Sequence, residues 1–193
     1  MTRTPVQKFT TEVPLWSPYV APVDLSLATP AQIEALKETP SNAGISDYVL
    51  VLANDPQSLA ERTPLYNAIM FGRGGLSRPE RELGAVAASV VNGCIYCAAV
   101  HSSRYNALAK RPEVMDALLS AGREARLEPR ESAIVAFGAK LSETPPSADA
   151  GDLDALSRAG LSDLEILDLI LAVALFGWAN RLMHSLGEPI AKE

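Results

Sequence analysis

From Thr29 onward the 193-residue chain carries one helical period after another and almost no period-2 alternation of β-branched residues. This constrains the fold most. Half-buried strands need alternation, whereas amphipathic helices need an apolar position every three to four residues. Helical patterns span about 45–54, 56–72, 77–92, 94–110, 112–121, 129–142, 151–159 and 162–187. Thr29-Pro30 opens a shorter helix, with a hydroxyl cap before a proline at the first helical position. Ser77-x-x-Glu80 and Ser162-x-x-Glu165 are capping boxes, which satisfy the free N–H groups of a helix start. Gly72, Gly74-Gly75, Gly122, Pro145-Pro146 and Gly160 interrupt the periods. The fold class is therefore all-α, and the missing βαβ pattern counts against a thioredoxin fold.

Residues 1–28 precede this helical body as a proline-punctuated arm with Trp16, Tyr19 and Val20, suited to packing extended across the body or a neighbouring subunit. Residues 29–193 form one domain, or two fused helical halves. A weak echo at an offset of 85 aligns Leu76–Gly93 with Leu161–Trp178, but the second copy has no thiols. Two unrelated amphipathic helices with similar caps explain the echo equally well. The apolar fraction of 48% supplies a core, and the net charge of −6 argues against a nucleic-acid surface. Met1–Val20 has no secretory h-region, and the apolar run Leu169–Ala179 is too short for a bilayer. The expectation is a soluble cytoplasmic protein without membrane or nucleic-acid partners. There a pair of cysteines is more often catalytic or metal-binding than a structural crosslink.

The only two cysteines stand in Gly93-Cys94-Ile95-Tyr96-Cys97-Ala98-Ala99-Val100-His101, and His101 is one of two histidines. At about 100° per helical residue, Cys97 lies about 60° and His101 about 20° from Cys94, so the three share a face. Tyr105 returns to that face, while Tyr96 points roughly opposite. Thiols one turn apart can close a disulfide, and an imidazole one turn beyond Cys97 can take its proton. Glu82, twelve residues before Cys94, begins an apolar helix at Leu83, a place where a carboxylate's proton affinity can be raised. Zinc is the rival use of Glu82, Cys94, Cys97 and His101, although structural zinc sites usually draw ligands from separate knuckles. Covalent haem is excluded, because Ala98 rather than histidine follows Cys97. His184 reads as structural or interfacial, Phe176 and Trp178 as core, and Met70 and Phe71 as candidates to line a pocket.

The run Arg81-Glu82-Leu83-Gly84 … Asn92-Gly93-Cys94-Ile95-Tyr96-Cys97-Ala98-Ala99-Val100-His101 resembles the AhpD-like alkylhydroperoxidases of the carboxymuconolactone decarboxylase superfamily, whose signature is E-x11-C-x-x-C-x-x-x-H. Looser resemblance runs from Tyr48 to Arg181, and the length and the tail Asn180-Arg181 look like the peroxidase-related branch. The resemblance implies an all-α fold with the C-x-x-C helix beside the Glu-bearing helix, and a homo-oligomer. It implies that Cys97 attacks a small hydroperoxide, that Cys94 resolves the sulfenic acid to a disulfide, and that His101 and Glu82 relay the proton. It also implies a dithiol reductant, such as a lipoyl-type protein, and no bound cofactor or metal. One departure is Tyr96, where the well-studied members carry a histidine. A tyrosine donates a hydrogen bond but is a poor base near neutral pH. A non-peroxidase dithiol protein and a zinc-binding oligomer are the alternatives.

Overall fold

The computed structural model describes residues 4–40 and 44–192. The elements run β1 (Leu15–Pro18), α1 (Pro30–Ala35), α2 (Asp47–Leu52), α3 (Pro56–Phe71), α4 (Arg78–Val91), α5 (Ile95–Ala109), α6 (Pro112–Ala121), α7 (Pro129–Ser142), α8 (Ala150–Arg158), α9 (Asp163–Leu186) and β2 (Gly187–Ile190). Thr29, Ser77 and Ser162 each accept from the third helical N–H, and Gln32, Glu80 and Glu165 answer to the cap backbone. The boxes read in the sequence at Ser77 and Ser162 therefore start α4 and α9. A good cap contributes about 1 kcal/mol.

Helix α4 lies at the centre and packs on α5, α7 and α9. Every residue from Arg81 to Ser89 is buried, so this helix is enclosed on all sides. Small residues make that possible. A Cβ on Gly84 would sit 2.8 Å from Leu169 Cδ1, and one on Gly138 would sit 3.1 Å from Ala87 Cβ. Around these contacts Leu83, Val86, Leu118, Ile134, Leu169 and Val173 form the main core. Each such side chain, once buried, contributes roughly 1.5–3 kcal/mol. The two segments of the 85-residue echo become α4 and α9, which pack directly on each other.

Three expectations need correction. Strands were not anticipated, yet β1 pairs antiparallel with β2, Leu15 opposite Ile190 and Pro18 opposite Gly187. The last helix accordingly stops at Leu186, and the segment after it is extended. Trp178 is not core: it is 46% exposed and extends an outward stripe of Leu164, Leu167, Leu171 and Ala174 on α9. By length and composition α9 passes for a membrane span, but half of its apolar window is buried inside the protein.

Candidate active site

A tight turn delivers the thiols. Asn92 ends α4, and Gly93 follows at φ +69°, a left-handed conformation that glycine adopts without a Cβ penalty. Gly93 N–H donates to the Val90 carbonyl at 3.2 Å and Cys94 N–H to the Ser89 carbonyl at 2.8 Å. This pair of bonds is a Schellman motif, and it closes α4 and opens α5 within two residues. Cys94 thus becomes the N-cap of α5 and Cys97 lies in its first turn. Both thiols are buried and unbonded, with their sulfurs 2.7 Å apart. A disulfide is about 2.05 Å, so sub-ångström movement closes it.

The two sulfurs differ in environment. Burial pushes the Cys97 thiol well above its ordinary value, and its neighbour Cys94 adds to the rise. The Cys97 thiol in turn holds Cys94 below its ordinary value; burial works against this, and the Cys97 backbone N–H and the Asn180 amide work with it. Asn180 is fully buried, donating to Ser89 Oγ at 3.2 Å and accepting from Asn92 Nδ2 at 3.1 Å. The two thiols therefore titrate as a pair, with burial pushing Cys97 up and the Cys97 contact pulling Cys94 down.

One helical turn beyond Cys97, His101 Nδ1 meets Glu82 Oε2, and the other Glu82 oxygen accepts from Arg78 Nη2. Glu82 has no exposed surface. Burial raises its proton affinity, but His101 and Arg78 outweigh that and hold the carboxyl below its ordinary range. The raised affinity expected from the sequence is therefore reversed, because the carboxylate has two partners. Burial pushes His101 down, and Glu82 opposes this only in part. The imidazole is thus neutral near pH 7, able to accept a proton, and its ring packs edge-on against Phe176 at 4.3 Å.

Cys97 and His101 open on a cavity of about 160 Å³ that is also lined by Tyr48, Arg62, Tyr66, Tyr96, Arg104 and Phe176. Cys94 faces a separate crevice with Trp16, Gly93 and His184. Tyr96 does not point away, as helix geometry suggested. The cavity wraps around the start of α5 and includes it, and burial keeps its phenol protonated beyond the usual range. Tyr105 is a core residue whose hydroxyl donates to Glu131 at 2.8 Å. His184 is structural: its Nε2 pairs with the Asn92 carbonyl at 3.0 Å and steadies the turn before Cys94. Met70 is fully buried in the core, and Phe71 lies under the Arg78 guanidinium at 3.7 Å; neither lines the cavity. Among the described residues, no three His, Cys, Asp or Glu side chains gather as metal ligands.

Sequence reasoning missed Trp16, Tyr48, Arg62, Tyr66, Arg104 and Asn180. One signal was available: Arg62 falls on the buried face of α3 with Leu59, Tyr66 and Met70, a charged residue inside an apolar stripe.

The profile of the carboxymuconolactone decarboxylase family matches residues 56–140, which contain Glu82, Cys94, Cys97 and His101. An uncharacterised peroxidase-related protein with an alkylhydroperoxidase AhpD core, from Ralstonia eutropha JMP134, is 26% identical with a TM-score of 0.75, over 88% of this chain and 90% of that one. A peroxidase-related protein from Silicibacter sp. TM1040 is also 26% identical, with a TM-score of 0.72 over 86% and 90%. The debrominase Bmp8 shares the fold at 19% identity, with a TM-score of 0.73 over 86% and 89%. No curated protein matches the sequence. This profile match around the Glu–Cys–Cys–His set, together with the likeness to these proteins along most of the chain, supports an AhpD-like member of the carboxymuconolactone decarboxylase superfamily.

Proposed function

We propose that the protein is a dithiol peroxidase that reduces small hydroperoxides at Cys97, with Cys94 as the resolving thiol and Glu82–His101 as the proton relay. The observation that supports this best is the Cys97 sulfur, 2.7 Å from Cys94 and open to the same cavity as His101. Access decides which thiol attacks. Cys97 lines the cavity that His101 shares, whereas Cys94 lines a different crevice.

In the first step His101 takes the Cys97 proton. The thiolate attacks the terminal peroxide oxygen, the O–O bond breaks, and the departing alkoxide recovers the proton from His101 as an alcohol. Cys97 is now a sulfenic acid. Cys94 attacks its sulfur, the S–S bond forms, and hydroxide leaves with the Cys94 proton as water. The two thiols have lost two electrons, which the O–O bond has gained. A dithiol reductant then attacks Cys97, and Cys94 leaves as the better-stabilised thiolate. The reductant's second thiol displaces Cys97 and both cysteines are restored. A slim lipoyl-type arm suits a cavity of about 160 Å³. The cycle belongs in a cytoplasmic compartment, where dithiols are kept reduced.

In Cys94→Ser, one equivalent of an alkyl hydroperoxide is expected to leave a sulfenic acid on Cys97, read by dimedone labelling and peptide mass. A label found on Cys94 in Cys97→Ser, and none on Cys97 in Cys94→Ser, would reverse the assignment. A second reading, a dithiol reductase for another electrophile, draws on the fold shared with the debrominase Bmp8. It would show as thiol turnover with a halogenated arene and none with hydroperoxides.

A further inference from the structure

We propose that the cavity beside Cys97 holds a carboxylate seat built on Arg62 and Tyr48, so that its substrates are small molecules bearing a carboxylate. The proposal rests on the peroxidase reading only for the reactive end of the substrate; the seat itself stands on the side chains around it.

Arg62 is 9% exposed, yet two of its three guanidinium nitrogens, Nε and Nη1, are buried with no hydrogen-bond partner among the described residues. The Tyr48 hydroxyl, in the same wall, is also buried and has no hydrogen-bond partner among the described residues. A buried donor left unsatisfied is destabilising, and more so when the group is charged. The guanidinium stacks over the Tyr66 ring at 4.7 Å and the Tyr48 ring at 5.8 Å. Stacking engages its face and leaves its N–H groups free for an acceptor.

The charge balance selects an anion. Arg62 brings its positive charge to the cavity wall. Glu82, the carboxylate beside His101, has one oxygen on Arg78 and the other on His101, so neither oxygen pairs with Arg62. An ionised carboxylate accepts several hydrogen bonds and donates none, which matches donors that lack acceptors. Val49, Val100, Phe176 and Met183 add apolar surface to the wall, which suits a short hydrocarbon stem. A substrate seated by its carboxylate on Arg62 presents its other end to Cys97.

Iodoacetate and iodoacetamide test this without relying on peroxide chemistry, because they share a reactive carbon and differ in charge. On the reduced protein, the iodoacetate-to-iodoacetamide rate ratio at Cys97, resolved by peptide mass, should exceed that of free N-acetylcysteine by at least about tenfold, the effect of one charge-assisted hydrogen bond. Arg62→Gln should return the ratio to the free-thiol value, and Tyr48→Phe should lower it in part. Butyrate should raise the melting temperature of the wild type and butyramide should not, which decides the matter if neither reagent reaches Cys97 or if Arg62→Gln fails to fold. A free-thiol ratio in the wild type, or equal melting shifts with butyrate and butyramide, overturns the seat. Butyrate binding without any hydroperoxide turnover would instead overturn the peroxidase reading and leave the seat standing.

Discussion

Glu82 keeps its charge in the core because each carboxylate oxygen has a cationic or imidazole partner. Its proton affinity is held below the ordinary value of 4.5, so its contribution is present above that pH and is lost as pH falls through the lower folded value. His101, pushed below its ordinary 6.5 by burial, also favours the folded state above that value, because the unfolded chain gains the proton first on acidification. Both groups therefore make acid the destabilising direction, with His101 acting first. His101→Gln should remove the upper part of this fall: between about pH 7.5 and 5.5 its melting temperature should drop less than that of the wild type. The same variant should slow oxidation of Cys97 by a hydroperoxide by at least about 10²-fold, the lower range for a lost general base. Parallel melting curves and an unchanged oxidation rate would remove His101 from the relay.

At the scale of elements, β1 is the piece that encloses the thiols. Trp16 is buried, meets Tyr48 edge-on at 5.7 Å, and clusters with Cys94, Cys97 and Met183. Its ring lies so close to β2 that a Cβ on Gly187 would come within 2.5 Å of it. The two strands thus act as a cover pinned over the start of α5 from opposite ends of the chain. Trp16→Ala should cost about 3–5 kcal/mol by the general cost of truncating a buried aromatic. It should also speed labelling of Cys94 by a bulky aromatic disulfide, read by absorbance under native conditions. An unchanged labelling rate would show that β1 does not control access.

Across the whole molecule, what the sequence made legible was local. The capping residues Ser77, Glu80, Ser162 and Glu165 sit within a few positions of what they bond, so the helix starts could be read directly. The Glu82, Cys94, Cys97 and His101 set was legible because fixed spacing along α4 and α5 carries it into one place. What stayed hidden depends on distant pairing. Leu15 meets Ile190 across nearly the full chain, and neither strand has an alternating run to announce it. Arg62 and Tyr48 belong to no motif; only the packing of α2 and α3 on each other and on α9 brings them to the wall that Cys97 shares. Trp178 was misjudged because an aromatic in an apolar helix reads as core until the unfilled face is known. The central claim joins these levels: a buried thiol pair, opened at Cys97 to the cavity that His101 shares, that spends two electrons per peroxide. Its most direct measurement is the loss of free thiols in the reduced wild-type protein against added alkyl hydroperoxide. The account predicts that one equivalent removes both thiols, forms the Cys94–Cys97 disulfide within one chain, releases one alcohol, and is reversed by a dithiol. Two thiols that persist through excess hydroperoxide, with no alcohol released, would contradict it.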